Sequence, residues 1–442
     1  MRVVERILRV FVGVVGLALT IVAVGIIFSD GPTVTTGRIW LYGAPVFTAG
    51  LLGLSLTCAR FSRIILVLLN GLAVLVALIG VEFYLSAFLV RSLASDVGTQ
   101  TMLTQAAELR SKGERAYPHV CPSTLTGITL AGADGSPLLP LGGLSDNLLF
   151  TPDGSDVSSR RSDKYGFNNP KDQWSRESVD VMAVGDSFTF GADVPFGKSF
   201  VDLLRKEVGL VVNLGCGGNG PLSELAALIE YGAILRPKTL IWVYFEGNDL
   251  TKDLQRELKS PILMQYLNTE FFQHLASRQS EINTSLGLFV TNLMVENKKT
   301  EKAATSVTLQ GIILLTQLRT ALGLNCGFDR RQFQLSCEFH DELLGQFGSI
   351  LDSAVKHVGK WDGRFIFVYL PEAKRYSSWI ANIDADGSRN AVLRVVDSLA
   401  IDRVDVHEVF RRHADPKALF DGHYNEKGYA LVADAILARL QN

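Results

Sequence analysis

The sequence predicts an α/β fold with a mainly parallel sheet, preceded by three transmembrane helices. From residue 179 onward, short apolar segments alternate with amphipathic helical segments, which is typical of buried parallel strands connected by helices. The longest apolar runs lie before residue 91. Of the 442 residues, 47% are hydrophobic and only 20% are charged, so we expect a globular part attached to a lipid bilayer.

Charge and composition argue against several classes of function. A formal net charge of −2 is unlike the basic surplus with which proteins bind nucleic acid electrostatically. Five cysteines are too few for a disulfide scaffold, and no cluster of His, Cys and carboxylate residues has metal-ligand spacing. We therefore expect no nucleic-acid partner, no metal and no cofactor, and the sequence leaves protein partners open.

Three uncharged apolar runs predict the membrane anchor in residues 1–90. Each is close to the roughly 20 residues that a helix needs to cross the hydrocarbon core. A cleaved signal peptide is the alternative for the first run, but two further runs follow it directly. The runs are Val10–Phe28, Ile39–Ala59 and Ile64–Val81.

The basic residues around these runs predict the orientation of the chain. Five arginines lie before the first run or between the second and third, whereas the loop between the first and second carries one. Positive charge favours the cytoplasmic side, so three crossings place the chain after residue 90 on the outer or periplasmic side of the cell (inner) membrane. The five are Arg2, Arg6, Arg9, Arg60 and Arg63.

Beyond the anchor, composition and hydrophobic pattern divide the chain into two regions. Residues 91–178 contain scattered Pro and Gly and are predicted to be a stalk and loop region. Residues 179–442 form the predicted catalytic domain, with strands at 179–184, 211–214, 239–245, 364–370 and 403–407. Residues of about 250–345 have mostly helical periodicity and are predicted to be an insertion.

Polar clusters follow the predicted strands, and ligands bind parallel α/β sheets at the carboxyl ends of their strands. Together the clusters contain the parts for acyl transfer. They are residues 185–188 (GDSF), 213–218 (NLGCGG), 246–249 (EGND) and 421–425 (DGHYN).

Each chemical role has a candidate residue in these clusters. Ser187, at a strand-to-helix turn, is the candidate nucleophile, and His423 is the candidate base. Asp421 is the candidate acid that orients the imidazole. The backbone N–H of Gly218 and the amide of Asn248, together with the Ser187 N–H, would form an oxyanion hole.

The four clusters resemble the sequence blocks of the SGNH (GDSL-like) hydrolase superfamily in their order and spacing. The resemblance covers about residues 179–440, and residues 165–170 (YGFNNP) are similar to its membrane-bound members. Two blocks depart from the family pattern. The third is EGND, and Asp421 precedes His423 by two residues where the family has three. The resemblance implies a three-layer fold and ester hydrolysis.

Three functions are compatible with these residues. The first is a membrane-anchored hydrolase that removes acyl groups from small molecules or glycans. The second is an O-acyltransferase that passes acetyl to a glycan hydroxyl through the same acyl-enzyme. The third is a non-catalytic, glycan-binding assembly protein.

The cysteines give a further expectation. In an oxidising compartment, the surface segment 326–337 favours a Cys326–Cys337 disulfide. Cys121 is then left free or paired elsewhere, and Cys216 is expected to be a small packing residue in the oxyanion loop.

Overall fold

The structure is a computed structural model. It describes residues 61–84, 106–153 without 126 and 129, 156–175, 179–300 without 269, 337–376 and 379–441, and isolated positions up to residue 51. The chain forms two compact units. One comprises Met1–Ser95, Ala304–Asp341 and Ser377–Asn390, and the other comprises Asp96–Ala303, Glu342–Tyr376 and Ala391–Asn442.

The strands in chain order are β1 (Leu130–Ala131), β2 (Pro137–Leu138), β3 (Leu148–Asp153), β4 (Asp156–Arg161), β5 (Val181–Val184), β6 (Val211–Asn213), β7 (Thr239–Phe245), β8 (Arg364–Leu370), β9 (Asp402–Asp405), β10 (Phe420–Asp421) and β11 (His423–Tyr424). The α-helices are α1 (Phe61–Tyr84), α2 (Ser187–Phe190), α3 (Phe200–Glu207), α4 (Pro221–Ala227), α5 (Ala233–Leu235), α6 (Leu254–Glu257), α7 (Pro261–Gln265), α8 (Gln279–Thr300), α9 (Cys337–Gly359), α10 (Trp379–Ser398), α11 (Val406–Phe410) and α12 (Glu426–Leu440). Two π-helical turns, Leu228–Gly232 and Asp249–Asp253, adjoin α5 and α6.

Helix α1 covers the third predicted membrane span, whereas most of the other two lies outside the described residues. Among the helices that the structure describes, none has both the length and the apolar character required to cross a bilayer.

A five-stranded parallel sheet forms the centre of the larger unit, in the order β6-β5-β7-β8-β9. Strands β7 and β8 have the bounds that their apolar runs predict. The predicted α/β class with a parallel sheet is confirmed.

Apolar side chains cover both faces of this sheet, because successive residues of a strand point to opposite faces. In β7, Ile241 and Val243 pack with buried residues of α3, α11 and α12. Leu240, Trp242 and Tyr244 pack on the other face with buried residues of α4, α8 and α9 and the last turns of α10. The arrangement is helix, sheet and helix, in three layers.

The segment predicted to be stalk and loop contributes to this core. From residue 106 its described part contains the antiparallel β3–β4 hairpin. It buries Leu125, Leu138, Phe167 and Trp174 in the layer that contains α4. These apolar residues are spaced irregularly between short elements, so no helix or strand periodicity marks them in the sequence.

Residues between β7 and β8 are mainly helical where they are described, in α6, α7, α8 and α9. Residues 301–336 of this predicted insertion lie outside the described residues.

Candidate active site

Ser187 is presented by a sharp turn between β5 and α2. Asp186 caps the short helix, and its carboxylate accepts the Phe188 N–H at 2.9 Å. A Cβ at Gly185 would lie 2.1 Å from Thr189 Oγ1, so the turn requires glycine here. The turn leaves Ser187 half-buried at the carboxyl end of β5, among residues that are otherwise buried.

His423 connects Ser187 to a carboxylate. Its Nε2 lies 2.7 Å from Ser187 Oγ, and its Nδ1 lies 2.6 Å from Asp193 Oδ2. The His423 backbone N–H donates to the same carboxylate oxygen at 3.3 Å. A Phe188 ring contacts the imidazole edge-on, at 4.7 Å between ring centroids. The imidazole is therefore oriented from three sides, with one nitrogen on the serine and the other on an acid.

The carboxylate on His423 Nδ1 is that of Asp193, whereas the sequence predicts Asp421 at this position. Asp421 is exposed and pairs with His423 across the β10–β11 hairpin. Asp193 lies in the loop after α2, 230 residues earlier in the chain. Its φ of 59° is in the left-handed region, which Asp tolerates better than most residues. Only its position six residues after Ser187 distinguishes it in the sequence.

Electrostatics favour the ionised form of this acid. Partial burial opposes ionisation, but the hydrogen bond and charge of His423 outweigh it and lower the pKa of Asp193. An ionised carboxylate on Nδ1 keeps the proton on that nitrogen and leaves Nε2 free to accept the serine proton.

Gly422 makes the contact between His423 and Asp193 possible. Its φ is 74°, and a Cβ there would lie 2.7 Å from Asp193 Oδ2. Any side chain at this position would collide with the carboxylate that orients the imidazole.

The loop after β6, residues 214–220, lies beside Ser187 and is called the oxyanion loop because it contains the predicted donor Gly218. A Cβ at Gly217 would be 4.0 Å from Ser187 Cβ. The next residue, Gly218, is the predicted donor and has a φ of 71°, which favours glycine. Asn248, the other predicted donor, is half-buried after β7, the neighbour of β5 in the sheet. The carboxyl ends of three adjacent strands thus carry the serine and both predicted oxyanion donors.

Buried carboxyl groups support these loops from below. Burial raises the pKa of Asp186 to about 6 and that of Glu257 to about 7. Burial and neighbouring carboxylates raise the pKa of Glu224 and Asp249 well above their ordinary values. Glu257 accepts the N–H of Gly220, at the end of the oxyanion loop, and that of Leu222, in α4, at 2.7 and 2.9 Å. Asp249 accepts the Phe245 N–H at 2.6 Å. Asp186, Glu257 and Asp249 therefore bind backbone amides and shape the site.

A disulfide between Cys121 and Cys216 ties the oxyanion loop to the N-terminal part of the domain. The prediction of Cys216 as a simple packing residue is therefore wrong, and Cys121 is its partner. The predicted partner of Cys337, Cys326, lies outside the described residues.

His119 approaches both sulfurs, at 3.8 Å from Cys121 Sγ and 3.9 Å from Cys216 Sγ. Within the described part of the chain, these three residues are the one cluster of His, Cys and carboxylate groups compact enough to ligate a metal. A disulfide offers no thiolate, so in this structure they do not form a metal site.

Comparison with known proteins gives only distant similarities. No protein-family model matches the chain, and no curated protein matches it. Among solved structures, it is similar to a member of the lipolytic G-D-S-L family from Veillonella parvula (14% identity, 59% of this chain and 97% of that chain, TM-score 0.30). It is also similar to a lipase/acylhydrolase from Enterococcus faecalis (11% identity, 60% and 96%, TM-score 0.32). A third is a catalytic mutant of an acetylxylan esterase from Geobacillus stearothermophilus (15% identity, 60% and 96%, TM-score 0.30). At these TM-scores, the function has to be inferred from the site itself.

Proposed function

We propose that this chain is an SGNH-type ester hydrolase in which Ser187, His423 and Asp193 form the catalytic triad. The observation that carries the proposal is the continuous hydrogen-bonded path from Ser187 Oγ through the imidazole to Asp193 Oδ2, with both distances below 2.8 Å. A serine held this way can lose its proton to a base that is already oriented.

In the acylation step, His423 Nε2 takes the proton of Ser187 as Oγ bonds to the carbonyl carbon of an ester. The carbonyl oxygen becomes an oxyanion, which the N–H groups of Ser187 and Gly218 and the amide of Asn248 stabilise. Collapse of this intermediate breaks the ester C–O bond. The alcohol leaves with the proton from His423, and the acyl group remains on Ser187.

Deacylation repeats the chemistry with a second nucleophile. His423 takes a proton from water as the water oxygen bonds to the acyl carbon, and the proton returns to Ser187 as the acid leaves. The side chains of His423 and Asp193 are 28% and 36% exposed. This exposure lets water reach the acyl-enzyme and supports hydrolysis as the main reaction. The substrate would be an acylated small molecule or glycan.

The experiment is ester turnover by the full chain in detergent, measured with p-nitrophenyl acetate and with acetylated glycans. Ser187→Ala should abolish turnover, whereas Ser285→Ala, a serine of α8, should retain it. Retained turnover in Ser187→Ala would contradict the proposal. Acetyl transfer to an added glycan acceptor in place of acetate release would favour the acyltransferase, and glycan binding without turnover would favour an assembly protein.

We also propose that the first 90 residues attach the enzyme to the cell (inner) membrane with the catalytic domain outside. The uncharged runs of residues 10–28, 39–59 and 64–81 and the flanking arginines support the anchor. The Cys121–Cys216 disulfide supports an oxidising compartment, because such bridges are rare in the cytosol. Membrane fractionation of cells, followed by protease treatment of intact spheroplasts, tests both parts. Recovery of the chain in the soluble fraction would contradict the anchor, and protection from the protease would contradict the outer location.

A further inference from the structure

The segment Cys121–Leu125 contacts the oxyanion loop although the two are distant in the chain. Ser123, in the 3₁₀ turn Pro122–Leu125, donates its hydroxyl hydrogen to the Gly217 carbonyl oxygen at 2.8 Å. The two residues are 94 positions apart. None of the four sequence blocks of the site includes this segment. The blocks therefore do not identify Ser123 as a neighbour of the oxyanion loop.

This hydrogen bond orients the Gly217–Gly218 peptide within a turn that the Asn219 N–H closes on the Cys216 carbonyl at 3.0 Å. The Gly217 carbonyl and the Gly218 N–H belong to the same peptide unit, which is planar and trans, so the two bonds point in opposite directions. Holding the carbonyl on Ser123 therefore turns the Gly218 N–H away from Ser123. The same peptide unit lies beside the nucleophile, since a Cβ at Gly217 would be 4.0 Å from Ser187 Cβ.

The disulfide and Arg256 hold parts of the same loop other than the Gly217–Gly218 peptide unit. The disulfide joins Cys121 and Cys216, with Cα atoms 5.6 Å apart. The Gly218 carbonyl, which belongs to the next peptide unit, accepts from Arg256. Among the hydrogen bonds described for this loop, the one from Ser123 is accepted by the Gly217 carbonyl, which shares a peptide unit with the Gly218 N–H. A hydrogen-bond donor that needs no reorientation during the reaction stabilises the transition state most.

We propose that Ser123 is a positioning residue of the oxyanion hole, holding the Gly217–Gly218 peptide so that the Gly218 N–H is aligned with the developing oxyanion. The inference rests on the proposed esterase function. It assigns to the N-terminal part of the domain an effect on the chemical step, exerted through the Gly217–Gly218 peptide. Ser123 itself touches neither the ester nor the triad in this scheme.

Steady-state kinetics of the full chain with p-nitrophenyl acetate test the inference. Ser123→Ala should lower kcat by about 10-fold or more with little change in KM, because complete loss of an oxyanion donor costs roughly 10²–10³. Ser123→Thr, which keeps the hydroxyl, should retain most of the activity. Ser285→Ala is the matched control, since Ser285 Oγ also donates to a distant carbonyl, that of Ala131, at 2.8 Å.

A second readout separates alignment from folding. A boronic acid that forms a tetrahedral adduct with Ser187 should bind Ser123→Ala about 10-fold or more weakly, because the adduct uses the same oxyanion donors. If Ser123→Ala does not fold, Ser123→Val and Ser123→Thr form an isosteric pair that differs only in the hydroxyl, and Val should be the slower enzyme. Equal kcat for Val and Thr, or wild-type kcat and boronate affinity in a folded Ser123→Ala, would overturn the inference. Turnover that survives in Ser187→Ala would instead refute the esterase proposal.

Discussion

Asp193 Oδ2 lies 2.6 Å from His423 Nδ1, although the two residues are 230 positions apart in the chain. The contact depends on the loop after α2 and on the β10–β11 hairpin, which meet at the carboxyl edge of the sheet. It replaces the local Asp421–His423 pair that the terminal sequence block predicts. In the proposed triad, the acid therefore comes from the segment that also carries the nucleophile.

Asp193→Asn should lower kcat for p-nitrophenyl acetate by about 10²–10⁴, because an amide can stabilise the wrong imidazole tautomer and cannot stabilise the imidazolium. Asp421→Asn is the matched control. Its kcat should stay within about 2-fold of wild type, since substitutions of exposed residues usually have little effect. The reverse ranking of the two variants would restore Asp421 as the triad acid.

Gly422→Ala should reduce kcat as well as stability. The new methyl group would meet Asp193 Oδ2 at 2.7 Å, on a backbone with a φ of 74°. Gly113→Ala provides the control, because its φ is 89° and nothing lies within 4 Å of the new atom. Both variants should lose about 1–2 kcal/mol of unfolding free energy from the left-handed conformation. Only Gly422→Ala should also lose turnover, and equal activity of the two would argue against the tight contact.

Reduction of the Cys121–Cys216 disulfide should destabilise the domain and slow the enzyme. The bridge spans 95 positions, so its loss should cost up to roughly 5 kcal/mol of unfolding free energy. Denaturant unfolding and kcat should be measured with and without dithiothreitol, using the Cys121→Ser/Cys216→Ser double variant as the control. The reductant should destabilise the double variant by no more than the predicted Cys326–Cys337 bridge contributes. Peptide mapping of the oxidised protein should recover the bridged pair and would also test the predicted Cys326–Cys337 bridge.

Stability should depend on the protonation of Glu257. Burial raises its pKa to about 7 from an ordinary value near 4.5, so between these values the folded state binds a proton that the unfolded chain does not. The free energy of unfolding contributed by this group is therefore highest below pH 4.5 and falls as the pH rises to about 7. A shift of this size corresponds to a few kcal/mol, at ~1.4 kcal/mol per pKa unit.

Glu257→Gln isolates this contribution from those of the other buried groups. Urea unfolding at pH 5 and pH 8 should show a larger loss of stability over this range in wild type than in the variant. The Gln side chain keeps an oxygen that can accept one of the loop amides. An identical pH dependence of the two proteins would show that Glu257 is ionised in the folded state.

Much of the sheet and part of the site could be predicted from the sequence, because their signals are local. Continuous apolar runs mark β7 and β8, and the GDSF turn that follows an apolar strand marks Ser187. His423 is marked by the order of the four blocks. In the structure, Ser187 and His423 lie within hydrogen-bond distance of each other.

The remaining features depend on tertiary contacts that leave no periodic trace. Asp193 reaches His423 from a loop whose path is set by Gly191 and by its own left-handed conformation. Cys121 and Ser123 reach the oxyanion loop from a segment rich in Pro and Gly, which resembles a linker in composition. That segment belongs to the domain because its apolar residues pack with those of α4 and α8, which its composition does not indicate.

The most direct test of the central claim is covalent labelling with a fluorophosphonate, followed by peptide mass spectrometry. Ser187 Oγ should displace fluoride from phosphorus, so wild type should carry one adduct, on Ser187. Labelling should be much slower in His423→Ala and Asp193→Asn, and unchanged in Asp421→Asn. An adduct on another residue, or equal labelling rates in wild type and His423→Ala, would contradict the proposed triad.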